Sequence, residues 1–156
     1  MKTINHFFDD SIIRSYDIRG IFNKTLFEKD AKVIGQLFGL EVGKNKKINV
    51  GYDGRKSSEP LKDSLIEGIL ESGADVCEIG LVPTPLLYFS TISNNSRGGV
   101  MVTGSHNPKN YNGFKFILDG LPFYGEDLIN FKKRAQNFLL EKTMGKKKRL
   151  ILNQNI

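Results

Sequence analysis

Two spacings of apolar residues alternate along this chain. Val33, Ile34, Leu37, Phe38 and Val42 fall on one face of a helix over 28–44, and Leu61, Leu65 and Ile69 recur every four residues over 57–73. Short, nearly continuous apolar runs follow each helix and read as strands: KINVGYD (47–53), ADVCEIGL (74–81) and GGVMVTG (98–104). The second helix has Ser57 or Ser58 as N-cap, Pro60 in its first turn and Gly73 at its stop. IIRSYD (12–17) reads as a first strand, and IRGIFNK as the turn after it. VPTP (82–85) is a rigid turn, TPLLYFSTISN (84–94) a short helix and GFKFIL (113–118) an edge strand. A last helix over 125–142 sets Leu128, Phe131, Ala135, Phe138 and Leu139 on one face, and TMGKKKRLILNQNI shows no organisation. Strands alternating with helices predict an α/β fold, a three-layer α/β/α sandwich around a mostly parallel, mixed sheet.

Composition narrows the class. A chain of 156 residues, 39% of them apolar, has the size of one domain with a real core. No apolar run is long enough to span a bilayer, and the N-terminal MKTINHFFDDSIIRSYD lacks a cleavage-site pattern, so a soluble cytoplasmic protein with no membrane partner is expected. The single cysteine, Cys77, excludes an internal disulfide or a cysteine-based zinc site and reads as a buried thiol. The net charge of +6 is concentrated in GKKKR (145–149), without which it falls to +2. That run reads as solvated charge, which divides the chain into a domain over 1–144 and a basic tail or truncated interdomain junction over 145–156. A nucleic-acid-binding module is the competing reading from another class. It rests on the tail alone, and nucleic acid is not the expected partner.

In an open α/β sheet, ligands bind beyond the carboxyl ends of the parallel strands. Four loops meet that rule: Tyr16–Gly20, Tyr52–Ser58, Gly80–Pro85 and Thr103–Pro108. One shared rim would gather Arg19, Arg55, Ser105 and His106, with Lys115 on the adjacent strand. Several cations around one hydroxyl suit a phosphate-bearing substrate. The hydrolase nucleophile elbow is incomplete, because TGSHN lacks its second glycine, and His106 is the immediate neighbour of Ser105, too close in sequence to serve as its triad base. The dinucleotide fingerprint and the P-loop are both missing from the sequence. A serine carrying a phosphoryl group in a cationic rim survives these tests. Arg55 stands equally as a ligand contact and as a brace for the loops.

SYDIRG, GYDGRKSS, GLVPTPLLYF and MVTGSHNPKNYNGFKF, in that order over 12–118, resemble the first domain of the α-D-phosphohexomutases, in the phosphomannomutase/phosphoglucomutase branch. The resemblance implies that Ser105 is the active-site phosphoserine, which passes its phosphoryl group to a hexose phosphate. The resulting bisphosphate turns over and returns the other phosphoryl group. It also implies that Tyr16, Arg19 and Lys115 line the site, that Arg19 and Lys115 stabilise charge or move protons, and that His106 flanks the transferred group. The complete enzymes of the family have four domains and hold Mg²⁺ on an Asp-Gly-repeat loop of the second. No two aspartates here are spaced Asp-x-Asp, so of that metal site only Ser105, through its phosphate, would be present. The chain is therefore expected to be incomplete as a mutase by itself. It is read as one piece of a split enzyme with a separate chain carrying the missing domains, a truncated product, or a non-catalytic phosphate- or partner-binding remnant.

Overall fold

A computed structural model of the chain describes residues 1–150; residues 151–156 of the expected tail lie outside the described residues. The elements run, in order, β1 (Lys2–Ile4), β2 (Ile18–Ile21), α1 (Glu28–Val42), β3 (Lys47–Tyr52), α2 (Ser58–Glu71), β4 (Asp75–Leu81), α3 (Thr84–Ser93), β5 (Gly98–Val102), β6 (Tyr111–Leu118), β7 (Leu121–Phe123), α4 (Glu126–Ala135), β8 (Phe138–Leu140) and β9 (Lys147–Arg149). The main sheet has the order β2-β6-β5-β3-β4-β9, with β7 added alongside β6. Strands β5, β3, β4 and β9 are mutually parallel, and β6 is antiparallel to both β5 and β2. Strands β1 and β8 form a separate antiparallel pair.

The layers are unequal. Helices α1, α2 and α4 bury Ile34, Leu37, Phe38, Leu61, Leu65, Leu128 and Phe131 against Ile48, Val50, Val100, Val102, Phe114 and Phe116 of the sheet. Phe38, Phe116, Phe123 and Phe131 pack on one another in edge-on and tilted contacts in the middle of this layer. On the opposite face α3 alone packs, through Leu87, on Cys77, Ile79 and Met101. Cys77 is the buried thiol the sequence implies.

Four sequence expectations are corrected. Residues 12–17 form a loop, and the strand starts at Ile18, where alternating burial lets Ile18–Ile21 pair with Phe114–Tyr111. Strand β6 is internal, flanked by β2, β5 and β7, so its Asn112 and Gly113 are buried as well as its phenylalanines. The last helix stops at Ala135. Phe138 and Leu140 point inward from β8, and Leu139 points out, a strand alternation imposed by pairing with β1. The basic run, read as unorganised, contains β9. It lies along the β4 edge and answers a buried acid: Glu78 is 1% exposed, and its carboxylate meets Lys62 Nζ at 2.8 Å, Lys147 Nζ at 3.0 Å and Arg149 at 3.8 Å. Burial raises the Glu78 pKa, but the hydrogen bonds and charges of Lys62 and Lys147 outweigh it and hold the carboxyl below its ordinary value.

Candidate active site

The carboxyl ends of β3, β4 and β5 are tied into one rim by main-chain bonds. Asp53 N–H donates to the Val102 carbonyl at 3.0 Å, Val82 N–H to that of Tyr52 at 3.1 Å, and Thr103 N–H to that of Gly113 at 3.0 Å. Three of the four expected loops therefore share the rim. The fourth segment, Tyr16–Gly20, enters differently, because most of it is β2 itself.

Ser105 sits just past the end of β5 with φ of 52°, in the left-handed region that costs a non-glycine residue about 1–2 kcal/mol. Two neighbours hold it there. The Asp53 carboxylate accepts hydrogen bonds from Thr103 Oγ1 and Gly104 N–H, both at 3.0 Å, from Arg55 N–H at 3.1 Å and from Ser58 Oγ. Thr103 Oγ1 in turn accepts the Ser105 N–H at 2.9 Å. Burial pushes the Asp53 pKa up; the four donors more than offset this and leave it below the usual carboxylate value. From the other side the Arg55 guanidinium donates to the carbonyls of Ser105 (2.9 Å), Asn107 (2.7 Å), Pro108 (2.5 Å) and Tyr111 (3.1 Å). Arg55 braces the serine loop.

Gly104 is what lets the brace in, since a Cβ there would lie 2.2 Å from Arg55 Cζ. Asn107 closes the turn, donating from Nδ2 to the Gly104 carbonyl at 2.9 Å. Asn112, fully buried beneath, donates to Ser57 Oγ and Ser58 Oγ at 2.8 and 2.9 Å, so Ser57 supports this layer and does not cap α2 through its side chain. Both bonds that fix Ser105 use its main-chain N–H and carbonyl, which leaves its hydroxyl outside the brace.

The cations arrive along the sheet. Arg19 on β2 is paired with Gly113 of β6, and Thr103 reaches the same Gly113 from β5, so Arg19, Gly113 and Thr103 form one row across the sheet. Residues directly opposite in an antiparallel pair project to the same face, and so do residues two apart on one strand. Arg19 and Lys115 therefore share the face opposite the phenylalanine core, with the side-chain-free Gly113 between them. Among the described residues the helix on that face, α3, packs mainly on β3 and β5. A Cβ at Gly113 would lie 2.0 Å from the Ile18 carbonyl oxygen, so only glycine lets β2 approach here. Arg19 Nη2 is held by Asp17 Oδ2 at 2.6 Å. Among the described residues Lys115 pairs with no carboxylate, and its charge is available to an anion.

His106 is exposed at the tip of the serine loop. Tyr16 lies on the loop before β2, 77% exposed and stacked on Tyr124 with ring centroids 5.7 Å apart. A cleft of about 800 Å³ is lined by Phe22, Asp53–Ser57, Lys109 and Asn110. Ser105 is not among the residues that line it. Among the described residues no three His, Cys, Asp or Glu side chains gather to hold a metal. The residues present do not make a magnesium site, to which a phosphorylated Ser105 would add one oxygen.

A family model described as phosphoglucomutase/phosphomannomutase, alpha/beta/alpha domain I, matches residues 10–136. A phosphomannomutase/phosphoglucomutase of Pseudomonas putida is 45% identical over 113 residues, 71% of this chain and 24% of that one. A phosphoglucomutase of Neisseria meningitidis serogroup B is 42% identical over 117 residues, 74% of this chain and 25% of that one. The crystal structure of a phosphoglucomutase/phosphomannomutase family protein from Burkholderia thailandensis superposes with a TM-score of 0.80 at 37% identity, over 92% of this chain and 33% of that one. The chain thus spans about a quarter of the length of the curated relatives it matches. With its layered fold, its braced serine and these matches, the chain belongs to the phosphoglucomutase/phosphomannomutase family of phosphomutases, over that family's alpha/beta/alpha domain I.

Proposed function

We propose that this chain is the phosphoserine-bearing part of a phosphohexomutase that interconverts hexose 1-phosphate and 6-phosphate through a bisphosphate intermediate. Ser105 carries the phosphoryl group. In the first transfer the Ser105 Oγ–P bond breaks, a P–O bond forms to the free hydroxyl of the sugar phosphate, and the hydroxyl proton ends on Ser105 Oγ. The second transfer is the reverse at the other phosphate: a P–O bond to the sugar breaks, Ser105 Oγ–P re-forms, and the serine proton passes to the sugar. Arg19 and Lys115 stabilise the charge on the transferring group, His106 flanks it, and Tyr16 contacts substrate. Fixed cations aimed at developing charge are the main protein contribution to phosphoryl transfer. Mg²⁺ would add charge neutralisation in the complete enzyme, and of the described residues only a phosphorylated Ser105 would offer it an oxygen. The hexose phosphate is the substrate.

The observation that carries this reading is the presentation of Ser105. A serine is held in a costly left-handed conformation, its loop locked by Asp53 and Arg55, its hydroxyl outside the brace, and Lys115, without a carboxylate partner among the described residues, stands on the adjoining face. A turn serine with no chemistry would not need this much support. Intact-mass spectrometry with site mapping, on the chain isolated from its native cells, tests it. One phosphoryl group on Ser105 is expected. An unmodified Ser105 would sink the reading.

A further inference from the structure

The cleft lined by Phe22, the turn Asp53–Ser57 and Lys109–Asn110 takes no part in the phosphoryl transfer proposed above. Its walls are tied together. Phe22 N–H donates to the Asn110 carbonyl at 2.8 Å, and Arg55 holds the carbonyls of Pro108 and Tyr111, on either side of Lys109 and Asn110. The cleft is therefore preformed, and at about 800 Å³ it has room for a small molecule. Its chemistry is one-sided. Lys56 and Lys109 are exposed and pair with no carboxylate among the described residues. Asp53 is the one acid in the lining, and both of its oxygens are spent. Oδ1 accepts from Arg55 N–H and the Ser58 hydroxyl, and Oδ2 accepts from Thr103 Oγ1 and Gly104 N–H. Ser57, 8% exposed, also lines the cleft. Its Oγ accepts from Asn112 Nδ2 at 2.8 Å, which leaves its own proton without an acceptor among the described residues. Buried donors are ordinarily matched, so this one marks a place for an acceptor. Ser57 is also the N-cap residue of α2, yet the helix has no side-chain cap, and no N-cap oxygen answers the positive end of its dipole.

We propose that this cleft binds a phosphoryl group, borne by a small phosphate ester or by free phosphate, at a site apart from the Ser105 face. Two ammonium groups, a spare buried hydroxyl donor and an uncapped helix start, beside an acid already saturated with donors, call for an oxyanion. Charge selects phosphate over carboxylate. Arg55, Lys56 and Lys109 against Asp53 leave the lining at a net +2, and a phosphate monoester brings nearly two negative charges and three acceptor oxygens. A carboxylate brings one charge and two oxygens. The half-buried Phe22 ring gives the carbon body of an ester an apolar wall. Ser105, Arg19 and Lys115 do not line the cleft, so the inference stands without the phosphoserine reading.

Amide NMR of the full chain tests it, with inorganic phosphate and glucose 6-phosphate titrated separately at constant pH and ionic strength. The amides of Gly54, Lys56, Ser57, Lys109 and Asn110 should shift along a saturating curve. Lys56→Gln/Lys109→Gln should weaken that curve about tenfold or more, as expected on losing both ammonium groups. Both lysines are exposed, so the variant keeps the wild-type spectrum elsewhere. Arg19→Gln/Lys115→Gln should leave the curve unchanged. A tighter curve for glucose 6-phosphate identifies an ester as the ligand, and one no tighter identifies free phosphate; either supports the site. No saturating shift at these amides would overturn the proposal, as would a curve indifferent to the lysine substitutions. So would a curve lost with Arg19 and Lys115, which would put the phosphoryl group at the Ser105 face alone. The two readings fail separately: the state of Ser105 in cells does not alter this titration, and an empty cleft leaves the phosphoserine standing.

Discussion

Replacing Arg55 by alanine removes four hydrogen bonds from one loop at once. Each donor is charged, and such bonds contribute about 1.5–3 kcal/mol when buried. The Pro108 bond is exposed, and the freed carbonyls regain water, so about 0.5–1 kcal/mol each is the appropriate scale. The sum is a loss of about 2–4 kcal/mol. Arg55→Lys should recover only a minor share, since an ammonium cannot reproduce the planar fork. Gly104 supplies the control. Its alanine variant must drive the guanidinium out of the position it occupies, so it should cost about as much as losing Arg55. With Arg55 already absent, Gly104→Ala has little left to displace. The double variant should therefore be no less stable than Arg55→Ala by more than about 0.5 kcal/mol, a strong departure from additivity. Urea titration followed by far-ultraviolet circular dichroism measures all four corners of this cycle, the chain having no Trp to report by fluorescence. Additive losses, or a neutral Gly104→Ala, would refute the reasoning.

The Asp53 carboxyl titrates below its unfolded value, so its contribution is complete above the unfolded pKa of about 3.9 and is lost as pH falls through the folded one. The stability gap between the wild type and Asp53→Asn should accordingly narrow below about pH 4; a gap unchanged from pH 6 to 3 would count against the hydrogen-bond account. Gly113→Ala should cost about 1–3 kcal/mol by forcing β2 off β6, with hydrogen exchange rising at Ile18–Ile21 before it rises in α1 and α2; equal protection in both regions would rule out the close-approach argument.

Local pattern carried the sequence reading a long way, and its failures have one physical character. Helices α1, α2 and α3 and strands β3, β4 and β5 repeat their apolar residues within a single element, so the sequence displays them directly. Ile12 and Ile13 look like a strand start, yet pairing with Phe114 and Gly113 begins only at Ile18, and that partner is nearly a hundred residues away. The phenylalanines of GFKFIL reveal a strand but not its neighbours, which is why an internal strand reads as an edge. Phe138 continues a helical spacing from Phe131, and only β1, at the far end of the chain, turns it into a strand. The site followed the same rule. Ser105, Arg19 and Lys115 are legible in the sequence as candidates, whereas the role of Arg55 lies in carbonyls some fifty residues further along, which no side-chain pattern records. The glycine in TGSHNP was the one available hint that something large passes close by.

Glu78 gives the open side of the sheet a selectivity of its own. A neutral strand from another molecule could satisfy the hydrogen-bonding groups of β4, but it would leave the carboxylate beneath with only Lys62 for compensation. The basic strand Lys147–Arg149 fills the place with the charge the acid lacks. Exposed sheet edges are where proteins stack into aggregates. Here a single acid one layer below the edge makes uncharged, sticky β-segments poor recruits, and the chain carries its own basic stopper.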